Sequence, residues 1–265
     1  MCLGIAASGA LLVSACAPAR VTSVASNDLV LVSTSGGLAG VDWAERRVVY
    51  QASNALPSSD WSRLVTSGTD GKLQVLDSRT GALQSSIDVP TGYVASAVSK
   101  DGRQVALSSS AGGSVRTRIV VADPSGRAAQ RTFDLQGNYE PDAFANDNKH
   151  LFVLEYLPPE APDRYRVRQL DLKTGSVSGI GSRDKSAVPE EEMRGTRRMH
   201  ALSPDGNTLY TLYTHQPGHL HSRDLAAGLT ESRGDVHAFV HVLSLSEGWA
   251  YCLDLPQPKI GRAHV

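Results

Sequence analysis

From residue 27 onward the apolar positions alternate with polar ones over short runs and are broken every few residues by turn-forming pairs, a period that predicts strands. Two kinds of segment recur. In one, an apolar strand ends on Asp, and two residues later a Thr-Gly pair turns the chain into a second strand. Leu73 to Gly81 (LQVLDSRTG) matches Arg168 to Gly175 (RQLDLKTG), with looser copies at Ile119–Gly126 and Val240–Gly248. The turn glycines 81, 126, 175 and 248 stand 45, 49 and 73 residues apart, and the earliest copy, Gly40 to Trp43, keeps the Asp without the glycine. The other segment precedes the first in each unit. It is a short strand of small apolar residues, an Asp-Gly or Asp-Asn turn and an alternating strand: Ser96–Leu107, Asp142–Leu154 and His200–Leu212. Asp-Gly and Asp-Asn supply the positive φ of a tight hairpin.

Two hairpins in fixed order make a four-stranded unit, and repetition at 40 to 50 residues is the signature of a β-propeller. The fold class expected is all-β, a propeller of four-stranded antiparallel blades. About five blades are visible: Val21–Asn54, Ala55–Thr91, Gly92–Tyr139, Glu140–Ser182 and Arg197–Pro256. The first shows three strands, Leu29–Ser33, Leu38–Asp42 and Arg47–Gln51, so its inner strand is expected from the far end of the chain. A β-sandwich also strings short strands together, but does not predict two turn types alternating in order. The Ser203–Gly206 turn (SPDG) and the Leu-Asp-x-x-Thr-Gly turns resemble the YVTN-type, YncE-like and TolB-like bacterial propellers of the wider WD40-like class. That resemblance implies a fold and leaves function open.

Composition agrees. The 265 residues carry 24 glycines, 6% aromatics and 41% hydrophobic residues, suiting many short strands, and a net charge of -1 gives no steering toward nucleic acid. The N-terminus differs in kind. Leu3 to Ala15 carries no charge, and Val13-Ser14-Ala15-Cys16 resembles the bacterial lipobox, an aliphatic and two small residues before a cysteine. The resemblance implies cleavage before Cys16, acylation of Cys16 and a membrane-anchored body at the extracytoplasmic face. The expected organisation is a signal peptide over 1–15, a tether over 16–26, a propeller over 27–258 and a non-native tail over 259–265. The tail, Ile260 to Val265 (IGRAHV), resembles a translated sequencing adapter, so an incomplete ring is expected. No basic residue precedes the apolar stretch, a departure from export signals.

Candidate chemistry is sparse. Cys252 alternates within Trp249–Leu255 and reads as a core thiol; no disulfide partner is left for it in the mature body. His215, His219 and His221, with His237 and His241 beyond them, are potential metal ligands on a Gly- and Pro-rich segment, for which a solvated loop is the plainer reading. Pro189 to Arg198 (PEEEMRGTRR) reads as a locally charge-paired loop. Arg197, Arg198 and His200 open an inner strand, where they would line the channel and hold an anionic ligand. Phosphate-binding loops, nucleophile elbows and Cys pairs are missing from the sequence, and no cofactor is expected. Two main function classes follow: a non-catalytic envelope propeller binding or scaffolding a protein, peptide or glycan, or a propeller enzyme of lactonase, dehydrogenase or hydrolase type. A solute-binding sensor is the weaker third.

Overall fold

The computed structural model describes residues 29–68, 70–109, 113–182, 192–214 and 238–255. Within them every regular element is a strand, and the strands form five sheets in chain order. Sheet 1 holds β1 (Leu29–Thr34), β2 (Gly37–Asp42) and β3 (Arg47–Ser53). Sheet 2 holds β4 (Leu56–Pro57), β5 (Arg63–Ser67), β6 (Lys72–Asp77) and β7 (Leu83–Asp88). Sheet 3 holds β8 (Tyr93–Val98), β9 (Val105–Ser109), β10 (Arg116–Ala122) and β11 (Arg131–Gln136). Sheet 4 holds β12 (Asn138–Phe144), β13 (His150–Leu157), β14 (Arg164–Asp171) and β15 (Val177–Gly179). Sheet 5 has the order β16-β20-β19-β18-β17, from β16 (Gly181–Ser182), β17 (Thr196–Leu202), β18 (Thr208–Thr214), β19 (Ala238–Ser244) and β20 (Trp249–Asp254). Each sheet is an antiparallel meander, β16 alone running parallel to its neighbour β20, and the five are the blades of a β-propeller.

Two boundaries differ from the sequence reading. Gly137, at φ 121°, turns the chain sharply and donates its amide to the Val115 carbonyl, so the fourth sheet starts at Asn138 and takes Tyr139 with it. Gly181 and Ser182 leave sheet 4 to pair with Trp249 and Ala250. The chain is thereby tied to the outer edge of the next sheet before reaching its inner strand. In sheet 1, β1 pairs only with β2 among the described residues; a closing strand from the far end of the chain falls outside them.

The core lies between blades. One apolar cluster joins sheets 2 and 3 through Val65, Leu73, Val105 and Leu107; a second joins sheets 3 and 4 through Ile119, Leu135, Leu151 and Leu170. The third joins sheets 4 and 5 through Phe152, Leu154, Tyr213, Phe239 and Leu243. Across that last seam runs a row of rings, Tyr156, Tyr165, Tyr213 and Phe239, with successive centroids 6.0, 5.2 and 5.1 Å apart. Tilted and offset contacts at these distances add to the area the rings bury. Cys252 packs at the edge of this cluster, its Sγ 3.9 Å from Met193 Sδ.

Both turn types are built alike from blade to blade. The glycines of the Asp-x-x-Thr-Gly type, Gly81, Gly126, Gly175 and Gly248, have φ of 70–76°. Asp77 and Asp171 each accept the amides of the two residues that follow the next one, closing the turn from within. The other type places Ser58, Ser99, Ala145 and Ser203 three residues before a left-handed residue, namely Trp61, Gly102, Asn148 and Gly206. In three of the four, the serine hydroxyl donates to the Asp two residues on.

Candidate functional site

The inner strands β12 and β17 lie at the seam of sheets 4 and 5, and charged side chains meet there. Arg197 donates from Nη2 to Glu140 Oε1 at 2.6 Å and from Nη1 to Asp142 Oδ1 at 3.1 Å. Tyr156, from β13, donates its hydroxyl to the other Glu140 oxygen at 2.5 Å. Asp142 is set by a bulge: β12 slips register against β13 between Pro141 and Ala143, and the extra residue aims its carboxylate at the seam. Its side chain is only 2% exposed.

Burial pushes the Asp142 carboxyl above its usual range, although Arg197 and His200 favour the ionised form. Desolvation on the seam side holds the His200 imidazole below its usual value despite Asp142, although the rest of the residue is exposed to solvent. Burial opposes the charge on Arg197, but the two carboxylates outweigh it and raise its pKa. Two carboxylates thus share one guanidinium, an arrangement that is costly to break once desolvated. Beside it, Glu155 takes Arg166 at 2.7 Å, Arg168 at 3.5 Å and the Tyr139 hydroxyl at 3.2 Å.

Of the three residues expected to hold an anion, the structure brings two together. Arg197 and His200 both face the Asp142 seam, but the Arg197 charge is met by the protein's own carboxylates. A second bulge, between Arg197 and Met199, turns Arg198 away: its Nε donates to Thr214 Oγ1 at 3.3 Å. Thr214 shares its side of β18 with Tyr210 and Leu212, the side opposite Tyr213. The acidic and basic halves of the 189–198 stretch do not pair with each other where described. Glu192 takes Arg164 at the start of β14, and Arg194 approaches Asp163 in the connection just before it.

His241 is buried at the same seam opposite Thr211, and burial alone lowers its pKa to about 4, a neutral core histidine. His215, His219, His221 and His237 lie outside the described residues, as does Cys16. Among the described residues no cluster of three His, Cys, Asp or Glu is placed to hold a metal ion. No described helix is long and apolar enough to cross a membrane.

Sequence reading missed Glu140 and Asp142 as partners of Arg197, and Tyr156 as the donor to Glu140. A signal was present: Ser96, Asp142 and His200 each stand six residues before the left-handed turn residue of their unit, so the repeat itself sets Asp142 and His200 at equivalent places on neighbouring blades.

A further cluster sits at the turn end of the inner strands. Ser59 donates to the Lys100 carbonyl at 2.6 Å, Asn148 to Asp101 at 2.9 Å and Asn146 to Asn207 at 2.8 Å. Lys100 reaches past sheet 4 to the Asp205 carbonyl, at 2.7 Å, and to Asn207 Oδ1, at 3.0 Å. The four turns are thereby laced together at one mouth of the channel.

β17 differs from the other inner strands. β8 and β12 are largely covered, whereas six of the seven β17 residues are exposed, Met199 at 64% and Leu202 at 46%.

No protein-family profile and no curated protein matches the chain. Solved structures do match. The chain is similar to the hydrazine synthase of Kuenenia stuttgartiensis at 16% identity and a TM-score of 0.52, over 87% of this chain and 63% of that one. It is similar to a TolB-type protein of Agrobacterium tumefaciens at 14% identity and a TM-score of 0.50, over 86% and 77%. A TolB of Acinetobacter baumannii aligns at 16% identity and a TM-score of 0.47, over 82% and 48%. The chain therefore spans less than two thirds of the hydrazine synthase and about half of the Acinetobacter TolB. Identities this low speak for architecture alone, and by that measure the chain is a β-propeller with a TolB-type protein among its structural neighbours.

Proposed function

We propose that this propeller is a non-catalytic binding or scaffolding module that holds a protein, peptide or glycan against its inner strands. The observation that carries this is β17, an exposed inner strand with Arg198 and Met199 on one face and His200 and Leu202 on the other. An exposed strand with apolar and basic side chains suits pairing with a partner segment. The polar groups behind it favour a supporting role: Arg197, Glu140, Asp142 and Tyr156 satisfy one another, as a structural lattice does. A pulldown from envelope extract with the full chain tests the reading. A reproducible partner that a β17 variant, Met199→Asp with Leu202→Asp, fails to recover supports it; no reproducible partner overturns it.

We place the protein at the extracytoplasmic face of a bacterial membrane, anchored through Cys16, on the lipobox-like sequence that ends there. Labelling with a palmitate analogue should be lost in Cys16→Ser; equal labelling of both forms contradicts the anchor. A second reading, an enzyme, draws on Asp142 and His200, whose pKa values are shifted at one seam. It requires turnover, for instance of lactone or ester substrates, that His200→Ala abolishes.

A further inference from the structure

The seam between sheets 2 and 3 opens, at the turn end, into a cleft of about 680 Å³. That volume falls within the roughly 300–1,000 Å³ of small-molecule sites. Its floor is apolar, formed by Val65, Val75 and Val98, and its rim carries three guanidiniums: Arg63 at the start of β5, Arg103 in the β8–β9 turn and Arg127 after the β10–β11 turn. The Arg63 guanidinium stands over Gly102, 4.0 Å from where a β-carbon there would lie, so no side chain at that position separates it from the turn.

Two carboxylates share the rim, but each is taken up by uncharged donors. Asp101 accepts from Ser99 Oγ at 2.8 Å, the Arg103 amide at 3.1 Å and Asn148 Nδ2 at 2.9 Å. Asp123 accepts from the Ser125 amide at 2.8 Å, Ser125 Oγ at 2.7 Å and the Ala128 amide at 3.1 Å. Arg103 comes no closer than 3.9 Å to Asp101, and Arg63 and Arg127 form no ion pair among the described residues. This is the reverse of the sheet 4–5 seam, where the guanidinium is matched and a carboxylate is in excess.

We propose that this cleft binds a small organic anion, with a carboxylate or phosphate held by Arg63, Arg103 and Arg127 and an apolar body seated on Val65, Val75 and Val98. Guanidinium forks recognise both oxyanions in a bidentate way, and a dry floor beneath them strengthens the contact. Ser85 closes the back of the cleft by donating across the seam to the Pro124 carbonyl at 2.9 Å, which ties the two sheets and keeps the walls in place.

The test is calorimetric titration of the full chain with phenyl phosphate, benzoate and phenol. Phenyl phosphate and benzoate separate the two oxyanion sources, and phenol reports the apolar body alone. Binding of at least one anion, absence of phenol binding, and a loss of tenfold or more in Arg63→Ala and in Arg127→Ala are expected. The control Arg116→Ala, at the start of β10 and outside the cleft, should bind as the parent does. The three arginines are exposed, so the variants should keep the parent's far-UV circular dichroism. Absence of binding by both anions up to millimolar concentration overturns the site, as does unchanged affinity in both variants.

Discussion

Arg197 shows how much one residue's meaning depends on its neighbours. On β17 alone it is a cation at an inner-strand start; in the structure it is the counter-ion of Glu140 and Asp142. Arg197→Met should therefore destabilise the fold by about 2–3 kcal/mol, discounted for the partial exposure of the pair, because it strands two carboxylates. Combining it with Glu140→Gln and Asp142→Asn should restore most of that in chemical denaturation. A single variant as stable as the parent contradicts the pairing. His241 makes a second prediction. Its folded pKa, about 4, lies below the ordinary 6.5, so the folded state favours the neutral ring. The stability this gives is complete above pH 6.5 and is lost as pH falls from 6.5 toward 4, by about 3 kcal/mol in all. His200, also lowered, acts in the same direction. His241→Gln should flatten most of that slope in denaturation midpoints; a slope equal to the parent's refutes the assignment. Among the described residues the buried Tyr165 hydroxyl has at most a weak contact with the Tyr213 hydroxyl, so Tyr165→Phe should hold or raise stability by up to about 1 kcal/mol, and a clear loss would mean that the hydroxyl is satisfied.

Elements were legible in the sequence where turn chemistry was written in the usual residues. The Asp-x-x-Thr-Gly turns and the three Asp-Gly or Asp-Asn hairpins located most strands to within a residue or two, because only a few side chains accept a left-handed φ. Where another residue takes that conformation, the signal vanished. Trp61, at φ 59°, occupies the position of Gly102 and Gly206, so the Ser58–Trp61 copy went unread. Arg46, at φ 51°, takes the glycine's place in the earliest outer turn, after Asp42 accepts the Glu45 amide. Arg46→Gly should relieve that backbone and stabilise sheet 1 by about 0.5–1 kcal/mol, measurable as a shift in thermal midpoint. No shift, or a loss, would show that Arg46 is held by contacts worth more than the strain. The site was less legible than the turns, since pairing between β12 and β17 joins residues 55 and 57 positions apart that share no local pattern.

At the scale of the molecule, stability is distributed along seams. Sheets 2 to 5 are joined by three apolar clusters, whereas sheet 1 belongs to none of them among the described residues. It is held to sheet 2 by Tyr50, which packs over Gly40 and Gly81 and donates to the Ser78 carbonyl, and by Thr66 donating to the Ser53 carbonyl at 2.6 Å. Amides of β1 to β3 should exchange with solvent before those of sheets 3 and 4, and Tyr50→Ala should speed that exchange without altering β12 to β14; uniform protection contradicts this order. The propeller as a whole was readable because its unit repeats, and what it binds was not, because binding depends on which strand the fold leaves exposed. Among the described residues both β1 and β17 are exposed sheet edges, and the proposed function rests on β17. The most direct measurement is quantitative capture from envelope extract by the full chain and by its Met199→Asp, Leu202→Asp variant, with circular dichroism confirming that both are folded. A partner recovered reproducibly by the parent and depleted at least tenfold by the variant is expected. A parent that captures nothing reproducibly, or a variant that captures the same partner equally well, would contradict it.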